Sequence, residues 1–154
     1  MTRWPALPLL LLALAGHAHA APPAFDLPRL DDDGRLKLSQ FAGQPVVLNF
    51  WASNCPPCIQ ELPILNAYAA RQTKPAFIGI AIDTRAAAQA FLRRYPASYP
   101  QALASPALPP TFGNRIKGLP YTVIVNSQHR ICTQRLGAID ADWLAKAVAA
   151  CARP

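Results

Sequence analysis

The chain has 154 residues, 15 Lys and Arg against 8 Asp and Glu, and a formal net charge of +7. That length suits one domain built around one core. The cations are scattered, with only Arg93 and Arg94 adjacent, so the clustered basic and aromatic pattern of a nucleic-acid surface is missing. The basic balance reads as a solvated face, with acidic partners or anionic headgroups as the other reading.

The chain opens MTRWPALPLLLLALAGHAHA. Arg3 supplies a positive start, Ala6 to Ala15 an apolar run, and Ala18-His19-Ala20 a small-x-small cleavage pattern. The run falls short of the roughly 20 residues that span a bilayer. The expectation is an export signal over 1–20, cleaved after Ala20, with a periplasmic mature domain at 21–154. An uncleaved anchor is the alternative. His17 and His19 leave with the signal, so His129 is the one mature histidine and no metal site is expected.

After a Pro-rich leader at 21–24, AFDLPRLDDDGRLKLSQF reads as two short strands around an Asp31-Asp32-Asp33-Gly34 turn. PVVLNFW, 45–51, is a continuous apolar run, as expected of a strand buried on both faces. Ser53 and Asn54 offer N-cap chemistry for a helix from Cys55 to Arg71, with a kink expected at Pro63. AFIGIAID, 76–83, reads as another buried strand, and 84–95 as a helix capped by Thr84. Residues 96–120 read as irregular and Pro-rich, with a short extended piece at 99–104. YTVIVN, 121–126, and RICTQRLG, 130–137, read as strands joined by a tight turn at Ser127-Gln128-His129. The last helix starts at Asp140, which caps it, with Asp142 favouring its N-terminal dipole. The sum is an α/β domain: a mixed central sheet flanked by helices, with an N-terminal β-hairpin and a βαβ segment.

Four cysteines lie in the mature region: Cys55, Cys58, Cys132 and Cys151. An even count in an exported chain suggests two disulfides, for which three connectivities exist. The Cys55-x-x-Cys58 spacing favours a local pair, which leaves Cys132 with Cys151. The local pair falls where a buried strand hands over to a helix, the setting of a thioredoxin-like redox site. There the helix dipole and free N–H groups favour a thiolate at Cys55, the expected exposed nucleophile. Cys58, one turn in, is the expected resolving thiol. Pro56 and Pro57 fit a first helical turn and offer no N–H to the Cys55 sulfur. Less thiolate stabilisation means a more reducing couple. Other uses of the pair are a structural disulfide, a thiol oxidant of the same fold, and a copper carrier using both thiols and His129. His129, in a hairpin turn, is expected to face solvent. Haem attachment needs a histidine where Ile59 stands.

The stretches VVLNFWASNCPPCIQELP, GLPYTVIVN and FDLP…DGRLKLSQFAGQ resemble the TlpA/ResA-like thioredoxin-fold proteins, relatives of the cytochrome c maturation thioredoxins. The resemblance covers about residues 24–150. It implies an exported or membrane-tethered thiol-disulfide oxidoreductase that reduces protein substrates and is recharged by a membrane thiol conduit; no cofactor and a monomer are expected. Apocytochrome c or a copper-centre protein is the implied client. It also implies that Pro120 is a cis-proline facing the site and that the Leu119 backbone pairs with a bound substrate. Asn54 stands where the family has Trp, Asn49 where thioredoxin has a buried Asp, and Tyr121 where the family often has Thr. Asn49 cannot take a proton from Cys58, so another base or water must, and Asp83, ending a neighbouring strand, is the first candidate. Glu61 also matches the motif and is the second candidate acceptor, with a surface or packing role as its favoured reading. Trp51 is expected to pack beside the site.

Overall fold

The computed structural model describes Met1, residues 23–71 and residues 73–152. The expected signal and its cleavage site lie outside the described residues. Strands β1 (Asp26–Pro28) and β2 (Arg35–Lys37) form the antiparallel hairpin expected from the Asp-rich turn, where Asp32 Oδ1 accepts from the Gly34 N–H at 2.7 Å. A 3-10 turn, Leu38–Phe41, leads from it into β3 (Val46–Trp51). Then follow α1 (Pro56–Arg71), β4 (Ala76–Ile82), α2 (Arg85–Arg94), β5 (Gln101–Ala104), the short α3 (Leu108–Thr111), β6 (Tyr121–Val125), β7 (Ile131–Leu136) and α4 (Ala141–Cys151).

Five strands form one mixed sheet in the order β5-β4-β3-β6-β7. Strand β3 is central; it pairs parallel with β4 and antiparallel with β6, while β5 extends the parallel half. Side chains alternate along a strand, so β3 serves two cores. Val46, Leu48 and Phe50 join Ile78, Ile80 and Phe112 in the apolar cluster that the hairpin covers with Phe25 and Leu36. Val47 and Trp51 belong to the other cluster, with Leu65 of α1, Phe91 of α2 and Leu144 of α4. Asn49 shares the face of Val47 and Trp51, which puts a polar side chain under α1.

Local chemistry sets the helix ends. Thr84 Oγ1 accepts from the Ala87 N–H at 3.2 Å, and Asp140 Oδ1 from the Trp143 N–H at 2.7 Å, so both expected caps form. The start of α1 differs from expectation. Ser53 and Asn54 do not cap it; the Ser53 N–H donates to Asp83 instead. Cys55 takes the capping position, and its carbonyl accepts from the N–H groups of Cys58 at 3.0 Å and Ile59 at 3.4 Å. Pro56 and Pro57 fill the first two helical positions, where no intrahelical donor is required. The helix then runs through Pro63 as one element of 16 residues. The stretch 96–120 is less irregular than its prolines suggest, since it holds β5 and α3.

Candidate active site

The C-terminal end of β3 and the first turn of α1 place the cysteine pair. Cys55 and Cys58 are disulfide-bonded, with their Cα atoms 5.3 Å apart. Cys55 is 8% exposed and Cys58 4%, so the expected open nucleophile is in fact largely covered. Asn54 and Pro56 beside it are exposed and Pro57 is half-buried. Trp51, one strand step before this turn, is buried, stacks on Phe91 with ring centroids 4.6 Å apart, and donates its indole N–H to Gln101 Oε1 at 2.9 Å.

Of the readings of Glu61, the surface one is excluded. Glu61 lies one turn beyond Cys58 on the same helix face and is 1% exposed. Its Oε1 accepts from Asn49 Nδ2 at 2.6 Å, and its Oε2 from the Ile139 N–H at 3.0 Å. Asn49 Nδ2 also donates to Thr122 Oγ1 at 3.2 Å. Burial pushes the Glu61 pKa up to about 7, against the lowering effect of the Ile139 and Asn49 hydrogen bonds. A carboxyl poised there can accept and return a proton near neutral pH.

Asp83 has the opposite character. Its Oδ2 accepts from the Ser53 N–H and its Oδ1 from the Thr84 N–H, each at 2.7 Å. Partial burial raises its pKa, but these hydrogen bonds outweigh it and hold the carboxyl below the usual range. An acid so satisfied is a poor proton acceptor. Asp83 instead ties the loop before Cys55 to the end of β4.

The Leu119–Pro120 bond is cis, Pro120 is buried, and its carbonyl accepts from the Gly137 N–H at 2.8 Å. Leu119 is half-buried and packs against the cluster that holds Cys55 and Cys58. Tyr121 is buried and its hydroxyl meets the Phe112 carbonyl at 2.8 Å, so this departure from the family pattern serves packing.

Cys132 and Cys151 form a second disulfide, with Cα atoms 5.6 Å apart, between the exposed start of β7 and the buried end of α4. His129 lies near it and is half-buried with a covered Nε2, not solvent-facing as expected. Its turn follows Val125, which pairs with Val46 at the far end of β3, whereas Cys55 follows the near end. The histidine therefore cannot join the two thiols around one metal.

Gln101, Tyr99 and Gly79 also belong to the site and carried no motif. The one signal was a glycine inside an otherwise apolar strand, AFIGIAI, which marks a close approach.

A dithiol-disulfide pair at a strand-to-helix junction, a buried carboxyl behind its second cysteine and a cis-proline segment before the antiparallel strand define a thiol-disulfide oxidoreductase of thioredoxin-like fold. Residues 17–150 match the redoxin family, and the chain belongs to it. It is 36% identical over 128 residues to the thiol:disulfide interchange protein DsbE of Allochromatium vinosum, covering 82% of this chain and 70% of that one. It is 32% identical over 72 residues to the thiol-disulfide oxidoreductase ResA of Bacillus thuringiensis subsp. konkukian, which spans 45% of this chain and 42% of ResA. Among solved structures, a thioredoxin-related protein from Neisseria meningitidis serogroup B superposes with a TM-score of 0.72 at 27% identity, covering 80% of this chain and 96% of that one.

Proposed function

We propose that the protein is exported to the periplasm and acts mainly as a reductant of disulfides in protein substrates. In the reduced form the Cys55 thiolate attacks a substrate disulfide. One substrate sulfur leaves as a thiolate and takes up a proton, and the other forms a mixed disulfide with Cys55. Cys58 then gives its proton to Glu61 and attacks the Cys55 sulfur. The second substrate sulfur leaves, and the Cys55–Cys58 disulfide closes. Two electrons have passed to the substrate, and a membrane thiol donor restores the dithiol. Apocytochrome c and copper-centre proteins are the client classes that the family resemblance favours.

The observation that carries this reading is Glu61, a buried carboxyl poised near pH 7 one helical turn beyond the resolving cysteine. Pro56 and Pro57 support the direction of transfer, since neither can donate a hydrogen bond to a Cys55 thiolate. The redox potential tests that direction: a value nearer about −270 than about −120 mV supports a reductant, and the reverse supports an oxidant. A Cys58→Ser variant should trap the client on Cys55 as a stable mixed disulfide; a trap on Cys58 in Cys55→Ser alone would reverse the two roles. Stoichiometric binding of Cu(I) to the reduced protein would favour a carrier, a reading that the distant His129 weakens.

A further inference from the structure

Strand pairing lines up one residue from each of four strands: Gln101 of β5 with Gly79 of β4, Gly79 with Asn49 of β3, and Asn49 with Thr122 of β6. Paired residues share a face of the sheet. This rung is polar, apart from the glycine, and crosses an otherwise apolar core beneath α1. On one side Asn49 reaches up to Glu61 and across to Thr122. On the other, Gln101 lies over Gly79, where an added β-carbon would sit 2.0 Å from Gln101 Oε1 and 2.5 Å from its Cδ and Nε2. Only a residue without a side chain leaves room for that path. Gln101 is 5% exposed, and both ends of its amide are engaged: Oε1 by the Trp51 indole and Nε2 by the Tyr99 carbonyl at 3.1 Å.

Two cavities meet at this side chain. The inner one, about 10 Å³, is lined by Cys58, Asn49, Trp51, Leu62, Phe91, Leu92 and Gln101. It has room for about one water. The outer one, about 400 Å³, opens at the surface and shares Leu92 and Gln101 as walls.

We infer that Gln101 is a positioning residue of the redox centre, whose amide, admitted by Gly79, fixes Trp51 and separates the space behind Cys58 from the surface cavity. The consequence for proton transfer rests on the Glu61 reading above; the consequence for Trp51 does not. With the partition in place, Cys58 has Glu61 within one helical turn and little water. Without it, solvent reaches the Cys58 and Asn49 walls of the inner cavity. Asn49 is the amide bonded to Glu61, so the desolvation that chiefly raises the Glu61 pKa weakens and that pKa falls toward the ordinary carboxyl value. The titratable groups around Glu61 are Cys58 on its own helix and Tyr99 ahead of β5, whose pKa burial and then the Glu61 charge both raise. Asn49, Thr122 and the Ile139 amide complete its surroundings and do not titrate. Asp31 and Arg93 line the outer cavity.

The test uses the full chain with Gln101→Met, which keeps the volume and removes the amide, and Gly79→Ala, which displaces the amide but leaves Gln101 itself in place. Both should speed solvent exchange of the Trp51 indole N–H, read by NMR, by about tenfold or more, the protection given by a buried hydrogen bond. Both should lower the pH at which the Cys58 resolving step is half-maximal by about one unit. Gly79→Ala added to Gln101→Ala should change neither readout further, since the atoms it would strike are gone. Unchanged Trp51 exchange in Gln101→Met, or in folded Gly79→Ala, overturns the assignment. If Glu61→Gln fails to remove the inflection of the parent protein, the proton reading falls while Trp51 exchange still decides the role of Gln101.

Discussion

Asn49 Nδ2 lies 2.6 Å from Glu61 Oε1, and that contact joins the central strand to the helix that carries both redox cysteines. Asn49 occupies the position where thioredoxin has its buried acid. In this chain the buried acid, Glu61, is on the helix, and the strand supplies the amide bonded to it. A neutral donor suits a carboxyl that must be able to lose its proton in an apolar setting, because it steadies the charged form without titrating itself.

The first prediction follows from the Glu61 pKa of about 7. Resolution of the mixed disulfide by Cys58 should speed up as pH rises through about 7, where Glu61 becomes the charged base. Glu61→Gln should remove that inflection and slow the step by about 10²-fold at neutral pH, the lower end of general-base effects. Stopped-flow decay of a preformed mixed disulfide reads both. A retained inflection would return the proton to another group.

The same group predicts a pH dependence of stability. Its folded pKa of about 7 exceeds the ordinary 4.5, so the folded state holds the proton more tightly than the unfolded one. The stabilisation is fully present below about pH 4.5 and is lost as pH rises through about 7. The loss is at most about 3 kcal/mol. Urea unfolding of the oxidised protein across this window should show the decline, and Glu61→Gln should flatten it. A flat profile in the parent protein would mean that Glu61 is not buried as a carboxylic acid.

Asp83 gives the contrasting case. Its depressed pKa and two backbone donors make it a tether for the Ser53 loop. Asp83→Asn should therefore leave the inflection near pH 7 in place. Its effect should fall on stability, by about 1–2 kcal/mol, since a charge-assisted hydrogen bond becomes a weaker one or is lost. Loss of the inflection in this variant would restore Asp83 as the proton acceptor.

The second disulfide lies at the opposite end of the sheet from the first, and it closes a loop with a sequence separation of 19. Replacing Cys132 and Cys151 together by serine should cost roughly 3 kcal/mol on the chain-entropy account. Disulfide-exchange turnover at 25 °C should be unchanged. Equal stability with and without the bridge would mean that it does not hold α4 against β7.

Local sequence was enough to locate the redox pair. Cys55-Pro56-Pro57-Cys58 between an apolar strand-length run and a helix-forming stretch states its own setting, because a buried strand, a turn and a first helical turn are each defined by a few consecutive residues. The main strands and helices and the caps at Thr84 and Asp140 were legible for the same reason, though α3 was not, and the pairing of Cys132 with Cys151 followed from what the local pair left over. The acceptor proposed above was less legible. Glu61 read first as a surface or packing residue and only second as an acceptor, since helix periodicity says which positions share a face but not how deeply a neighbouring loop covers them. Only the packed structure brings the Ile139 amide from beyond β7 and Asn49 from β3 onto one carboxyl, and that removal from water raises its pKa. Asp83 read as the acceptor because it ends the adjacent strand, yet the Ser53 loop folds back and satisfies it. Gln101 had no local signal, as its role depends on a register across three strands and on the missing side chain of Gly79. Covalent spacing is written in the chain; desolvation and cross-strand register arise only when distant segments pack together, and those effects give Glu61 a raised pKa and Asp83 a lowered one.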